Sequence, residues 1–250
     1  MGFYVFGVGT AVCKPFGPNA AANPTPMQLG TMQEITVDIA ASQKELFGKL
    51  QFPVAIARTQ GKINFKAKFA TFYAKVFNDL FFGASVNTGN QVIGVIDELH
   101  TVTGGTVTVT VPSGTFKEDQ GVRDVNTGIV MTKVSTAPAA MQYSVVESTG
   151  VYTFNAGQTT PVFITYNYTA SSATTGTNVQ VTNKPMGSMP TFETWLYNNQ
   201  FGNNIAFQFP NCISSKLSFN FKNEDFAIPE FDFSAFSDNA GNIFYEYMDQ

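Results

Sequence analysis

A chain of 250 residues with 44% hydrophobic and 13% charged content can bury a large core and is not a disordered segment. Its charged fraction is about half the usual quarter, so Thr, Asn, Ser and Gln must supply much of the polar surface, a composition suited to burial between subunits. A net charge of −4 and a pI near 5.0, with arginine only at Arg58 and Arg123, exclude the ordinary nucleic-acid binder that neutralises phosphates with clustered cations.

Residues 1 to 29 carry Pro15, Pro18, Pro24 and Pro26 among Gly, Ala and Asn. This predicts an extended arm, neither helix nor ladder, that docks on a neighbour or wraps along its own domain. No basic region precedes the apolar run FYVFGVGTAVC, and Val12 stands where a small residue would precede cleavage, so no secretory or lipoprotein signal is expected. No run approaches the roughly 18 apolar residues of a membrane span, and a soluble protein made in the cytoplasm is expected.

From Gly30 the pattern turns β, with Ile35, Val37 and Ile39 set against Glu34, Thr36 and Asp38. In QFPVAIARTQGKINFKAKF at 51 to 69, Ile63, Phe65, Ala67 and Phe69 alternate with Lys62, Asn64, Lys66 and Lys68. A period of two means one packed face and one that is wet or meets a partner. Lys62, Lys66 and Lys68 are therefore the candidate subunit-interface residues. In TFYAKVFNDLFFG the period changes: Phe72, Val76, Phe77, Leu80 and Phe81 predict a short amphipathic helix closed by Gly83.

Between residues 84 and 184 the composition shifts to Val, Thr, Ser and Gly. Short strands are expected at 106–111, 129–134, 142–146, 150–154 and 161–170, separated by turn clusters, the signature of a small all-β domain. SSATTGTN at 171 to 178 reads as a polar return linker. The chain then re-enters the Phe-rich pattern: Ile205, Phe207 and Phe209 alternate with polar neighbours, as do Leu217, Phe219 and Phe221, and Pro210-Asn211 between them predicts a hairpin. The expected organisation is an N-terminal arm (1–29), a discontinuous β domain (30–83 and 185–250) and an inserted all-β domain (84–184).

Catalytic machinery is sparse. The one histidine, His100 in IDELHTV, has no GxSxG elbow and no cysteine partner by motif, so a structural or solvated role is expected. The carboxylate pairs Asp97/Glu98, Glu118/Asp119 and Glu224/Asp225 are adjacent in sequence and read as solvated turns, not acid/base pairs. GVGT at 7 to 10 and TGGT at 103 to 106 lack the ending and context of a phosphate loop. Cys13 and Cys212 have no metal-ligand spacing and read as two free buried thiols. Asn167-Tyr168-Thr169 fits a glycosylation sequon but sits inside an expected strand. No enzyme activity, cofactor, metal site or membrane anchor is expected.

The run LGTMQEITVDIAASQKELFGKLQFPVAIARTQGKINFKAKFATFYAKVFNDLFFG at 29 to 83 and SSKLSFNFKNEDFAIPEFDFSAFSDNAGN at 214 to 242 resemble the major tail protein, or tail tube protein, of long-tailed bacteriophages. GVRDVNTGIVMTKVSTAPAAMQYSVVESTGVYTF between them is similar in order and character. The resemblance implies a mainly β fold: two packed antiparallel sheets with one flanking short helix, plus an inserted small all-β domain. It also implies a virion structural protein whose homo-hexameric rings stack into a tail tube, each subunit lending strands to a continuous inner barrel. DNA would pass through the lumen without specific binding during ejection, and tape measure, tail terminator and distal tail proteins would be the partners. The strands at 31 to 69 are those expected at the lumen, and the insertion is expected on the outside of the ring. The alternative is a virion decoration or receptor-binding adhesion protein.

Overall fold

The computed structural model describes residues 7–17, 20, 24–71, 73–173, 175–200 and 203–249. The tip of the expected arm at 1–6, Pro18 within it, and Phe72 of the expected helix lie outside them. In chain order the elements are β1 (Thr10–Phe16), β2 (Met27–Gln28), β3 (Met32–Phe47), β4 (Pro53–Phe69), the single-turn helix α1 (Ala74–Phe77), β5 (Val86–Thr88), β6 (Val92–His100), β7 (Thr106–Thr108) and β8 (Gly114–Asp124). There follow β9 (Thr132–Lys133), β10 (Gln142–Val146), β11 (Val151–Phe154), β12 (Val162–Ala170), β13 (Thr177–Val179), β14 (Thr191–Gln200), β15 (Asn203–Ser218), β16 (Glu230–Ala235) and β17 (Tyr245–Met248). The chain is mainly β, with several antiparallel sheets and one short helical segment, and divides into two compact units: residues 1–85 with 180–250, and residues 86–179.

The first unit is an eight-stranded network in the order β2-β1-β14-β15-β16-β4-β3, with β17 added to β15. Its core is made of phenylalanine. Phe65 and Phe69 on β4, Phe192 on β14, Phe209 on β15 and Phe231 and Phe233 on β16 are all essentially inaccessible. Phe65 stacks on Phe233 with ring centroids 4.3 Å apart and meets Phe209 edge-on at 4.6 Å. β16 lies between β4 and β15, so in a flat sheet those two strands would stand roughly 9–10 Å apart. The sheet is therefore rolled, and its concave face is the core. The inward set on β4 is the one its alternation predicts: Ile63, Phe65, Ala67 and Phe69.

The expected arm is corrected over most of its described length. Residues 10–16 form β1, paired along their whole length with β14 from Thr10↔Tyr197 to Phe16↔Thr191, and Ala11 and Cys13 enter the core. Pro15 is tolerated because of its parity. The backbone groups of Ala11 face β2, where the Ala11 carbonyl accepts from the Leu29 N–H at 3.0 Å, and Pro15 shares that side. β2 pairs only with Val12 and Cys13, so among the described residues no strand asks for the N–H that Pro15 lacks. Gly9, just before β1, has φ +72°, and a Cβ there would stand 2.3 Å from the Tyr197 carbonyl oxygen.

The hairpin expected at Pro210-Asn211 is also corrected. β15 runs straight through it, and two residues, Pro210 and Asn211, stand opposite Glu193 alone, because Phe192 pairs with Cys212 and Thr194 with Phe209. This is a β-bulge, a place where a strand absorbs proline without losing its ladder. The bulge inverts the side-chain parity. Phe209 is inward before it and Cys212 and Ser214 after it, and a second irregularity between Ser214 and Lys216 restores the odd set at Leu217. Phe219 and Phe221, expected to continue that face, lie beyond the end of β15 and are exposed.

The helical segment sits where the three- and four-residue spacing places it. Phe77 and Leu80 are buried, and Phe77 packs edge-on against Phe69 and Phe231. Only Ala74–Phe77 is α-helical; Asn78–Phe82 widens into a π turn. Gly83, at φ 55°, donates its N–H to the Asn78 carbonyl at 2.7 Å. The Lys184 ammonium donates to the Phe82 and Gly83 carbonyls and completes the C-terminal cap.

The second unit holds a four-stranded sheet, β7-β11-β10-β9, and a three-stranded sheet, β6-β12-β8, which share a core of Val107, Val122, Tyr143, Tyr152, Phe154, Ile164 and Tyr166. β5 and β13 form a separate two-stranded ladder at its chain ends, so the C-terminal end of the expected linker is strand. β10, β11 and β12 fall where the sequence predicts them. The expected strand at 129–134 shrinks to Thr132–Lys133. β6 and β8 were not expected, and they correct the reading of two carboxylate pairs as turns: Asp97/Glu98 lie on β6 and Glu118/Asp119 on β8.

Candidate assembly surface

β3 and β4 are long strands, and only their proximal halves belong to the body. β16 pairs with β4 from Lys68 to Ile63 and stops there. Beyond that point β3 and β4 pair only with each other, from Ala41↔Gly61 to Phe47↔Pro53. Every residue from Ser42 to Lys62 is exposed apart from half-buried Pro53. Cross-strand partners share a face, so Val54 and Ile56 stand on one side of this ribbon and Leu46 and Ala55 on the other. Leu50 and Phe52, at the tip, are each 79% exposed, and Leu46 and Phe47 are 63% and 56% exposed.

A two-stranded hairpin alone in water is marginal, and an exposed apolar edge invites strand addition. The distal ribbon has both liabilities. β3 is the terminal strand of the sheet, and the outer edge of β4 beyond Ile63 has no partner strand among the described residues. Lys44, Glu45, Lys49 and Arg58 are spread along the ribbon, charges of the kind that restrain indiscriminate edge pairing.

Lys62, Lys66 and Lys68 share the outward face of β4. Lys68 is ion-paired with Glu34 of β3 at 2.6 Å. The hydrogen bond to Glu34, with its charge second, raises the Lys68 pKa. Lys66 stands opposite Asp232 on β16 and Thr36 on β3, and Lys62 opposite Ala40 at the root of the ribbon. On the same face the Lys216 ammonium donates to Glu230 at 3.1 Å and lowers the Glu230 pKa. Acids and bases interdigitate here, so this is a mixed face and not a cationic track for phosphate.

Where the rolled sheet does not close, an apolar groove of about 540 Å³ lies between β3 and the β14–β15–β17 side. Ile35 and Val37 line one wall and Leu196, Ile205, Phe207 and Met248 the other. Val37 and Ile39 belong to the inward face of β3, opposite buried Phe65 and Ile63, yet they remain 37% and 55% exposed, and Val37 opens on the groove.

The second unit contains a buried carboxylate. The Asp119 side chain, only 3% exposed, accepts from the Tyr143 and Tyr152 hydroxyls at 2.9 Å each and from the Gly121 N–H, with Lys133 at 3.2 Å. Burial first, and Asp119 after it, push both phenols up. Asp124 organises the turn after β8 by accepting from the Thr127 and Asn126 N–H groups and from Thr160 at 2.5 Å. These bonds, Thr160 first, bring its pKa down to about 2. His100 Nε2 lies 3.3 Å from Glu98 Oε2.

Cys13 and Cys212 are free and buried, as expected. Burial pushes the Cys13 thiol up to about 12 against a contact of 3.5 Å to Thr194 Oγ1, and it raises Cys212 as well. These are inert thiols at neutral pH. Among the described residues no group of three or more His, Cys, Asp or Glu side chains is arranged to hold a metal ion, and no helix is long and apolar enough to cross a membrane.

Sequence reasoning placed the lysine face and the Phe core but missed the ribbon, the groove and the Asp119 cluster. The ribbon had a signal in LFGKLQFPVAI, eleven residues with one charge; the groove joins residues too far apart in the chain to be read together. Comparison with protein-family models and with curated proteins gives no match to this chain.

Proposed function

We propose that this chain is a self-assembling structural protein, the subunit of a phage tail tube built from stacked homo-hexameric rings. The observation that carries the reading is the distal β3–β4 ribbon, which exposes large apolar residues on both faces and carries a strand edge with no partner among the described residues. Such a ribbon is a poor investment for a solitary molecule and a ready interface for copies of the same chain. The resemblance of residues 29–83 and 214–242 to tail tube proteins, the charge-balanced outer face of β3, β4 and β16, and the rolled body support the same reading. A mixed-charge lumen face would let DNA slide without being held.

Negative-stain electron microscopy across a concentration series, with light scattering to follow assembly, tests it. Hollow tubes or stacked rings are the expected result. Small closed oligomers that bind capsids or cells would replace this reading with a decoration or adhesion protein. A protein that stays monomeric at every concentration and with tail-initiating components present would sink it.

A further inference from the structure

We infer that the apolar groove between β3 and β14–β15–β17 is the receptor for the ribbon tip of a second copy, so that self-association is head-to-tail. The inference rests on the self-assembly reading and adds to it which two surfaces meet. The two features are complementary in chemistry. The guest offers Phe47, Leu50, Phe52 and Val54, all exposed. The host offers a cleft of about 540 Å³ walled by Ile35, Val37, Leu196, Ile205, Phe207 and Met248.

Shape agrees with chemistry. One wall of the groove is the terminal strand of the sheet, whose outer backbone edge from Gln33 to Val37 has no partner strand among the described residues. A strand-shaped guest can pair with that edge while its side chains enter the cleft, the mode in which main-chain bonds give affinity and alternate side chains give selectivity. The outer edge of β4 in the ribbon likewise has no partner strand among the described residues. Phe221 and Phe226 are also exposed, but they lie on the loop between β15 and β16 and offer no strand to the groove.

A ribbon tip seated in the groove must come from another molecule. Val37 is in the groove wall and Phe47 is ten residues further along the same strand, roughly 33 Å away at the rise of a β-strand. The intervening segment is held in ladder with β4, so the tip cannot fold back into its own cleft. The tip is large enough to anchor a contact: the two phenylalanines bring roughly 150–250 Å² each, and Leu50, Val54 and Ile56 add to them toward the ~800 Å² that a stable interface takes from each partner. Because tip and groove are different patches of one molecule, each copy can give to one neighbour and receive from another. Such a contact closes into rings or extends into filaments.

The test uses full-length protein in three forms: wild type, the tip variant Phe52→Asp, and the groove variant Val37→Glu with Met248→Glu. All three groove and tip positions are exposed, and circular dichroism melts verify that each variant folds; Met248→Glu alone serves if the double variant does not. Sedimentation velocity should show wild type growing with concentration and each variant alone weakened roughly tenfold or more in apparent Kd. An equimolar mixture of the two variants should form a dimer that grows no further, because one intact tip meets one intact groove. A groove variant that polymerises like wild type, or a mixture of folded variants that stays monomeric, overturns the inference while leaving self-assembly standing. Wild type that never associates overturns both.

Discussion

The proximal and distal halves of β4 are one strand with two fates. From Ile63 to Phe69 alternate residues are buried against β16 and the helical segment; from Val54 to Lys62 every residue is exposed. Both halves are β-prone and both pair with β3, so propensity and ladder bonds do not distinguish them. The difference is whether a third strand and a layer of phenylalanine stand beside them. A strand carries its fold in one half and offers its surface in the other, and each half should respond to mutation in its own currency.

The largest effect belongs to the proximal side. Phe233 is fully buried, stacked on Phe65 and in contact with Phe192 and Phe231. Phe233→Ala should destabilise the first unit by about 3–5 kcal/mol, the usual range for emptying a buried aromatic site, read as a lowered urea midpoint of Trp195 fluorescence. A loss below about 1 kcal/mol would mean that this core is loosely packed and that the contrast between the two halves is false.

A second test asks whether the inserted unit is governed by polar order in place of aromatic packing. The folded Asp124 carboxyl has a pKa near 2, below its ordinary 3.8. A depressed carboxylate pKa contributes stability that is present above the unfolded value and is lost as pH falls through the folded one. Stability of residues 86–179 should therefore decline between about pH 4 and pH 2. Thr160→Val, which removes the largest cause of the depression, should flatten that decline. Amide exchange resolved by residue measures it, and a Thr160→Val profile with the wild-type slope would reject Asp124 as the source.

Gly83 gives a smaller, local effect. Its φ of 55° and the 2.9 Å that a Cβ would have to Pro190 Cγ make alanine unwelcome, and Gly83→Ala should cost about 1 kcal/mol. Because the helical segment covers Phe69 and Phe231, the loss should appear as faster exchange in the proximal halves of β4 and β16. An unchanged melting midpoint would show that the π turn adjusts freely.

The sequence made the proximal half readable because period two survives there without interruption, and it made Gly83 readable because a glycine ends a three- and four-residue spacing. Elsewhere the physics is not local. Pro15 looks like a strand breaker until β2 is seen to stop short of it, and the parity of β15 changes twice at bulges that no alternation reports. β6 and β8 carry charges in mid-strand, Asp97 and Glu98 on one and Lys117 to Asp119 on the other, and such clusters resemble turns until Tyr143 and Tyr152 are found around Asp119. The alternation of Ile63, Phe65 and Phe69 was legible as a packed face; that Val54 and Ile56 on the same strand lie bare was not, because exposure depends on where β16 ends. The candidate lysines were placed on the correct face, but the carboxylates that interleave with them come from β3 and β16.

The smallest expected change in stability belongs to the distal half and sharpens the comparison most. Phe52 is 79% exposed at the ribbon tip, so Phe52→Asp removes few contacts within the chain. Its melting midpoint should stay within the shift produced by about 0.5 kcal/mol, the range for surface substitutions away from special features. A buried phenylalanine cannot behave this way, and an exposed one kept only for internal packing would have no further phenotype. If the same substitution leaves folding untouched and abolishes growth in light scattering, the apolar surface of the ribbon serves association. Unchanged assembly would place the interface elsewhere on the molecule and leave the bare half of β4 without a role.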